Sequence, residues 1–150
     1  MWLKLSTFAL LPVLVIQGVN VRKNTPRLLE ASGDRDGLIG QGQPLSLLIL
    51  GDSAAAGVGV ETQQDALSGA IISELKKEYL LHWKLHAKTG DTTKQVYQAI
   101  QQLEPQKYDV VVTSVGVNDV TKLISAKTWI KQQKQLFTQI QNHFQPKLII

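Results

Sequence analysis

Cysteine is absent from all 150 residues, which excludes disulfides, thiolate metal sites and a cysteine nucleophile. Arginine is scarce: Arg22, Arg27 and Arg35 are the only three, all near the N-terminus. The rest of the chain therefore has no guanidinium to grip phosphate or guanine through two parallel hydrogen bonds. Neither a Gly-Lys-Ser/Thr ending nor a Gly-x-Gly-x-x-Gly fingerprint accompanies the glycine-containing stretch from Gly51 to Gly59, which argues against a phosphate-binding loop. Long apolar runs are also few. The one candidate, Leu5 to Val19, is interrupted by Pro12 and falls short of the ~20 residues that a spanning helix needs.

The net charge of +4 hints at a nucleic-acid partner, but its distribution points away from one. Residues 1–44 hold five positive against three negative side chains, and residues 45–150 hold eleven lysines against nine acids. Lysines scattered among acids describe a solvated surface rather than a phosphate-binding stripe. The overall balance, 43% hydrophobic and 19% charged, is ordinary for a globular protein with room for one domain.

Three segments follow. Residues 1–24 form a hydrophobic N-terminal segment with Lys4 before the run and Arg22 and Lys23 after it. An anchor, an interfacial helix, a signal-like peptide and a buried first element all fit. The trailing positive charge favours the cytoplasmic side of a membrane, and Ile16-Gln17-Gly18 is a poor cleavage site. Residues 25–44, rich in glycine and charge towards their end, read as a linker. The domain proper runs from 45 to 150.

Within that domain strands and helices alternate. The run 46–50 is continuously apolar, as for a strand buried on both faces. Residues 64–80 place Leu67, Ala70, Ile71, Leu75 and Tyr79 on one helical stripe. A second strand is expected at 82–87, a helix at 93–103 burying Val96, Ile100 and Leu103, and a third strand at 108–115. A long helix at 126–144 carries Leu136, Ile140 and Phe144 inward, its glutamines facing solvent, and a fourth strand starts at Lys147. With right-handed crossovers this is a doubly wound parallel sheet, a three-layer αβα arrangement.

Each of the first three strands runs into a chemically pointed loop: Gly51-Asp52-Ser53, then Thr89-Gly90-Asp91-Thr92-Thr93, then Gly116-Val117-Asn118-Asp119. All three lie at carboxyl ends of parallel strands and so share one edge of the sheet, where ligands bind in such folds. A serine hydroxyl is a potential nucleophile. The backbone N–H groups of Ser53 and Gly90 and the side-chain amide of Asn118 are donors suited to an oxyanion. Taken singly, each loop also reads as a helix cap or turn; Asp52 and Asp119 read as structural supports.

Together these loops resemble the first three blocks of the SGNH-hydrolase superfamily, the GDSL-type lipases and esterases, over roughly Leu45 to Ile150. TGDTT and GVND are particularly similar to bacterial thioesterase and arylesterase members. The resemblance implies a flavodoxin-like fold and a serine ester hydrolase with no cofactor or metal. Ser53 would be the nucleophile, and Ser53, Gly90 and Asn118 would form the oxyanion hole. A small-molecule ester or a lipid-like compound would be the substrate, with membrane contact through the N-terminal segment. The family's last block, Asp-x-x-His, has no counterpart: Tyr79, Trp83 and Ile140 stand three residues before His82, His86 and His143. The expectation is the N-terminal part of such a hydrolase, weak or inactive without a base. A non-catalytic relic or acyl-binding module is the alternative.

Overall fold

The computed structural model describes residues 2–150; Met1 and the side chains of residues 2–9 and 22, Lys4 and Arg22 among them, lie outside the description. Alternation along the strands divides the core into two layers. In β2 (Gln43–Gly51) every residue from Leu47 onward is buried, because both faces of the strand are covered. Leu47 and Ile49 pack with Leu81, Trp83, Leu85 and the alanines 55 and 56, under α2 (Leu67–Leu75). Leu48 and Leu50 face Val96, Ile100, Leu136, Ile140 and Phe144, from α3 (Thr93–Ile100) and α5 (Ala126–Phe144). A period of two thus feeds one strand into two apolar layers.

The sheet has five strands. β1 (Asp36–Ile39) lies at one edge, followed by β3 (Tyr79–Ala87), β2, β4 (Val110–Ser114) and β5 (Leu148–Ile149). From β3 to β5 all pairings are parallel, in the doubly wound, flavodoxin-like order. A short α4 (Val117–Thr121) follows β4.

Three elements differ from the expectation. The stretch read as a linker contains β1, which pairs antiparallel with β3 from Leu81 to Lys84. Ahead of it Ala31 is buried, and its N–H donates to Ala56 O (3.2 Å). A four-residue edge strand with largely exposed side chains leaves no apolar alternation to read. The helix expected to reach residue 80 ends at Leu75, and Tyr79 opens β3 instead of closing the stripe, because the register pairs it with Gln43 at the start of β2. Helix α3 ends at Ile100, three residues before Leu103, which still packs against the core.

Helix α1 (Trp2–Asn24) carries Pro12 inside it. Its apolar side chains from Leu10 to Val21 are exposed, so they do not make a buried first element. Among the described residues no helix is long and apolar enough to cross a membrane.

Candidate active site

Gly51 ends β2 where nothing larger fits: an added Cβ would lie 2.6 Å from Ala55 Cβ and press on the carbonyl of Ser114 in β4. Asp52 follows, buried to 1% exposure. Its N–H donates to Ser114 O (3.0 Å), while its Oδ1 accepts from Ala54 N (3.1 Å) and its carbonyl from Ala56 N (2.9 Å). This tight turn leaves Ser53 half-buried at the carboxyl-end edge. Among the described residues the Ser53 hydroxyl has no hydrogen-bond partner, and its N–H has no acceptor.

The second loop leaves β3 through Lys88 and Thr89. Gly90 has φ +86°, a left-handed conformation natural to glycine, and a Cβ there would meet nothing within 4 Å. Its N–H also lacks an acceptor among the described residues. Thr92 then caps α3 in a reciprocal capping box with Gln95. The third loop turns at Gly116, φ +142°, into α4.

Asn118 joins the three loops. Its Nδ2 donates to Asp52 Oδ2 (3.2 Å) and to Asp91 O (2.9 Å). A primary amide has two N–H donors, so both are committed, the bond to Asp52 being the longer of the two. Asp52 therefore positions Asn118 as well as its own turn. Asp119, also 1% exposed, reaches beyond its loop: Oδ2 accepts from both Thr93 N and Thr93 Oγ1 at 2.9 Å. Its Oδ1 has no partner among the described residues.

The second loop is also held from the segment expected to be a linker. Glu30 Oε1 accepts from Thr89 N and Thr89 Oγ1, both at 2.7 Å, and its Oε2 pairs with Arg35 Nη2 at 2.7 Å. The bond from the Thr89 hydroxyl, foremost, holds the Glu30 carboxyl below its ordinary pKa. Burial raises Asp91, against the opposing charges of Lys88, His86 and Lys122. Neither Glu30 nor Arg35 belongs to a recognisable motif, and no pattern in the sequence marks them.

None of the histidines bonds to Ser53. His82 is exposed midway along β3. His86 is next to last in β3 and half-buried. It lines a cavity of about 540 Å³ with Glu30, Arg35, Lys88 and Asp91. Burial, then Lys84, lowers its pKa. His143 Nε2 bonds Leu103 O (2.8 Å) near the end of α5. Among the described residues no group of three or more acids and histidines could hold a metal ion.

Against known proteins, the sequence model of the GDSL-like lipase/acylhydrolase family matches residues 49–150. No curated protein matches. Among solved structures, the SGNH-hydrolase family esterase AlinE4 is 20% identical with a TM-score of 0.60, over 69% of this chain and 56% of that one. TesA is 22% identical with a TM-score of 0.55, over 65% and 55% respectively. The psychrotrophic esterase EstA from Pseudoalteromonas sp. is 18% identical with a TM-score of 0.52, over 70% and 61%. The alignments span less than two thirds of these proteins, and at such identities they establish the shared fold.

Proposed function

Because the chain belongs to the GDSL-like lipase/acylhydrolase family, we propose that Ser53 is the nucleophile of a serine ester hydrolase. In this reading Ser53 N, Gly90 N and Asn118 Nδ2 form its oxyanion hole. The observation that carries the reading is the double bond-sharing of Asn118, which ties the serine loop to the Gly90 loop. The backbone N–H groups of Ser53 and Gly90 are left without acceptors among the described residues.

Ser53 Oγ attacks the ester carbonyl, whose oxygen gains negative charge and accepts from these donors. Collapse expels the alcohol and leaves an acyl-enzyme, which water then hydrolyses. The Oγ proton needs an acceptor that later returns it to the leaving alkoxide. His82, His86 and His143 make no bond to Ser53, so we assign this role to none of them. The substrate is a small or lipid-like ester. Helix α1, with exposed apolar side chains between Leu10 and Val21 and the basic Lys23 and Arg27 after them, contacts a lipid surface.

Incubation with p-nitrophenyl acetate, followed by intact mass and peptide mapping, tests the nucleophile. Acetyl transfer to Ser53 is expected, accelerated by added imidazole standing in for the base and abolished in Ser53→Ala. Acetylation that persists in Ser53→Ala, or none on Ser53 at high imidazole, removes the residue from the mechanism. Saturable binding of short-chain acids with no acyl transfer would favour an acyl-binding module instead; what speaks for that alternative is that none of the three histidines bonds to Ser53.

A further inference from the structure

We propose that Glu30 is a positioning residue for the oxyanion hole, acting through Thr89 to fix the peptide that presents the Gly90 N–H. The inference rests on the reading of Ser53 and Gly90 given above. Gly90 itself supplies little to hold that peptide: it has no side chain, its φ is one that only glycine adopts readily, and the space around it is open. An oxyanion donor is effective only if it is aimed before charge develops. The neighbouring residues must therefore do the aiming.

On the far side of Gly90 the path is set by Asn118, which donates to Asp91 O, and by Lys122 Nζ, 3.4 Å from Gly90 O. On the near side the turn is closed by Asp91 N donating to Lys88 O (3.2 Å), and Glu30 receives both donors of Thr89, backbone and side chain, on one oxygen at 2.7 Å. Arg35 secures Glu30 in turn. Its Nη2 pairs with the other carboxylate oxygen, its Nη1 donates to Ala87 O (2.7 Å), and its carbonyl accepts from Leu85 N (2.6 Å). The guanidinium also offsets a negative charge that would otherwise oppose an oxyanion nearby.

The same segment reaches the serine loop. Ala31 N donates to Ala56 O, and the buried Gln63 Nε2 donates to both Ala31 O (3.1 Å) and Ala56 O (3.0 Å). Residues 30–35 thus fix the Gly90 loop relative to the turn that carries Ser53. These residues lie before the stretch that matches the family.

The test is the rate at which a fluorophosphonate labels Ser53 in the full chain, with imidazole present, read by intact mass. Glu30→Ala is expected to slow the maximal labelling rate roughly tenfold or more, short of the ~100- to 1,000-fold loss from deleting an oxyanion donor. The half-saturating reagent concentration should stay the same. Glu30→Gln, which keeps an acceptor for Thr89, should recover part of the rate, and amide exchange at Thr89 should speed up in Glu30→Ala. Labelling of Glu30→Ala at the unaltered rate overturns the proposal. So does a loss that falls only on the half-saturating concentration. Should Glu30→Ala not fold, Thr89→Val removes one of the two bonds, and an unchanged rate there is equally fatal. If the unaltered chain is not labelled at Ser53, the nucleophile reading fails. The clamp is then judged by Thr89 amide exchange alone, faster in Glu30→Ala if it exists and unchanged if it does not.

Discussion

At Gly51 an added methyl group would collide with Ala55 Cβ and the Ser114 carbonyl, whereas at Gly90 it would meet open space but a left-handed backbone. The two glycines should therefore respond differently. Gly51→Ala forces β2 and β4 apart and is expected to cost about 2–3 kcal/mol in urea unfolding. Gly90→Ala is expected to cost only about 1 kcal/mol of stability, while ester turnover or Ser53 labelling drops more steeply as the N–H is re-aimed. Equal loss of both properties in Gly90→Ala would argue against its role at the oxyanion. The loops that carry Ser53, Gly90 and Asn118 could be read from the sequence because each follows a readable strand. The commitment of both Asn118 N–H groups could not, since it depends on where Asp91 O and Asp52 lie in space. Glu30 was hidden for the same reason: its partner is 59 residues away.

A buried carboxylate joins two of the helices. Asp119, at the start of α4, receives both donors of Thr93 at the start of α3, and Thr93 is fully buried. Asp119→Ala would leave the buried Thr93 N–H and O–H without an acceptor, while Gln133 Nε2 still donates to the hydroxyl oxygen (3.1 Å), with an expected loss of about 2–3 kcal/mol. Thermal unfolding measures it, and a Tm equal to the unaltered protein's would show that solvent replaces the bond.

At the opposite end of the sheet Asp109 links β2 to the start of β5. Its Oδ2 accepts from Ser46 N (2.9 Å) and Oγ (2.7 Å), and its Oδ1 pairs with Lys147 at 2.8 Å. The Lys147 bond, then the two from Ser46, lowers its pKa to about 2. A carboxyl group depressed on folding adds stability above its unfolded pKa, near 4, and that stability fades as pH falls towards 2. Asp109→Asn should flatten that part of the stability–pH curve at a cost near pH 7 of about 1–2 kcal/mol, kept modest because Lys147 is largely exposed. The helices α2 and α5 were foreseen from their apolar stripes, one too long and one to the residue. Strand β1 was not, because an exposed edge strand has no buried face to write a pattern.

For the molecule as a whole, neither core layer includes any of the described side chains of α1. Consecutive Val13, Leu14, Val15 and Ile16 are each about half exposed or more, and four successive positions point around the helix rather than to one face. No single flat protein surface would cover such a helix, whereas the proposed lipid contact would cover more than one of its sides, and the basic residues that follow suit an anionic headgroup layer. Removing residues 1–24 should leave the Tm within ~2 °C, since the deleted contacts are not part of the core. The effect on membranes should be much larger. Burying three of these side chains at roughly 1.5 kcal/mol each corresponds to on the order of a thousandfold in partitioning, measured by flotation with vesicles containing phosphatidylserine. A shortened chain that floats as well as the full one removes α1 from membrane contact. One that loses both flotation and Tm shows instead that α1 packs on the domain in solution.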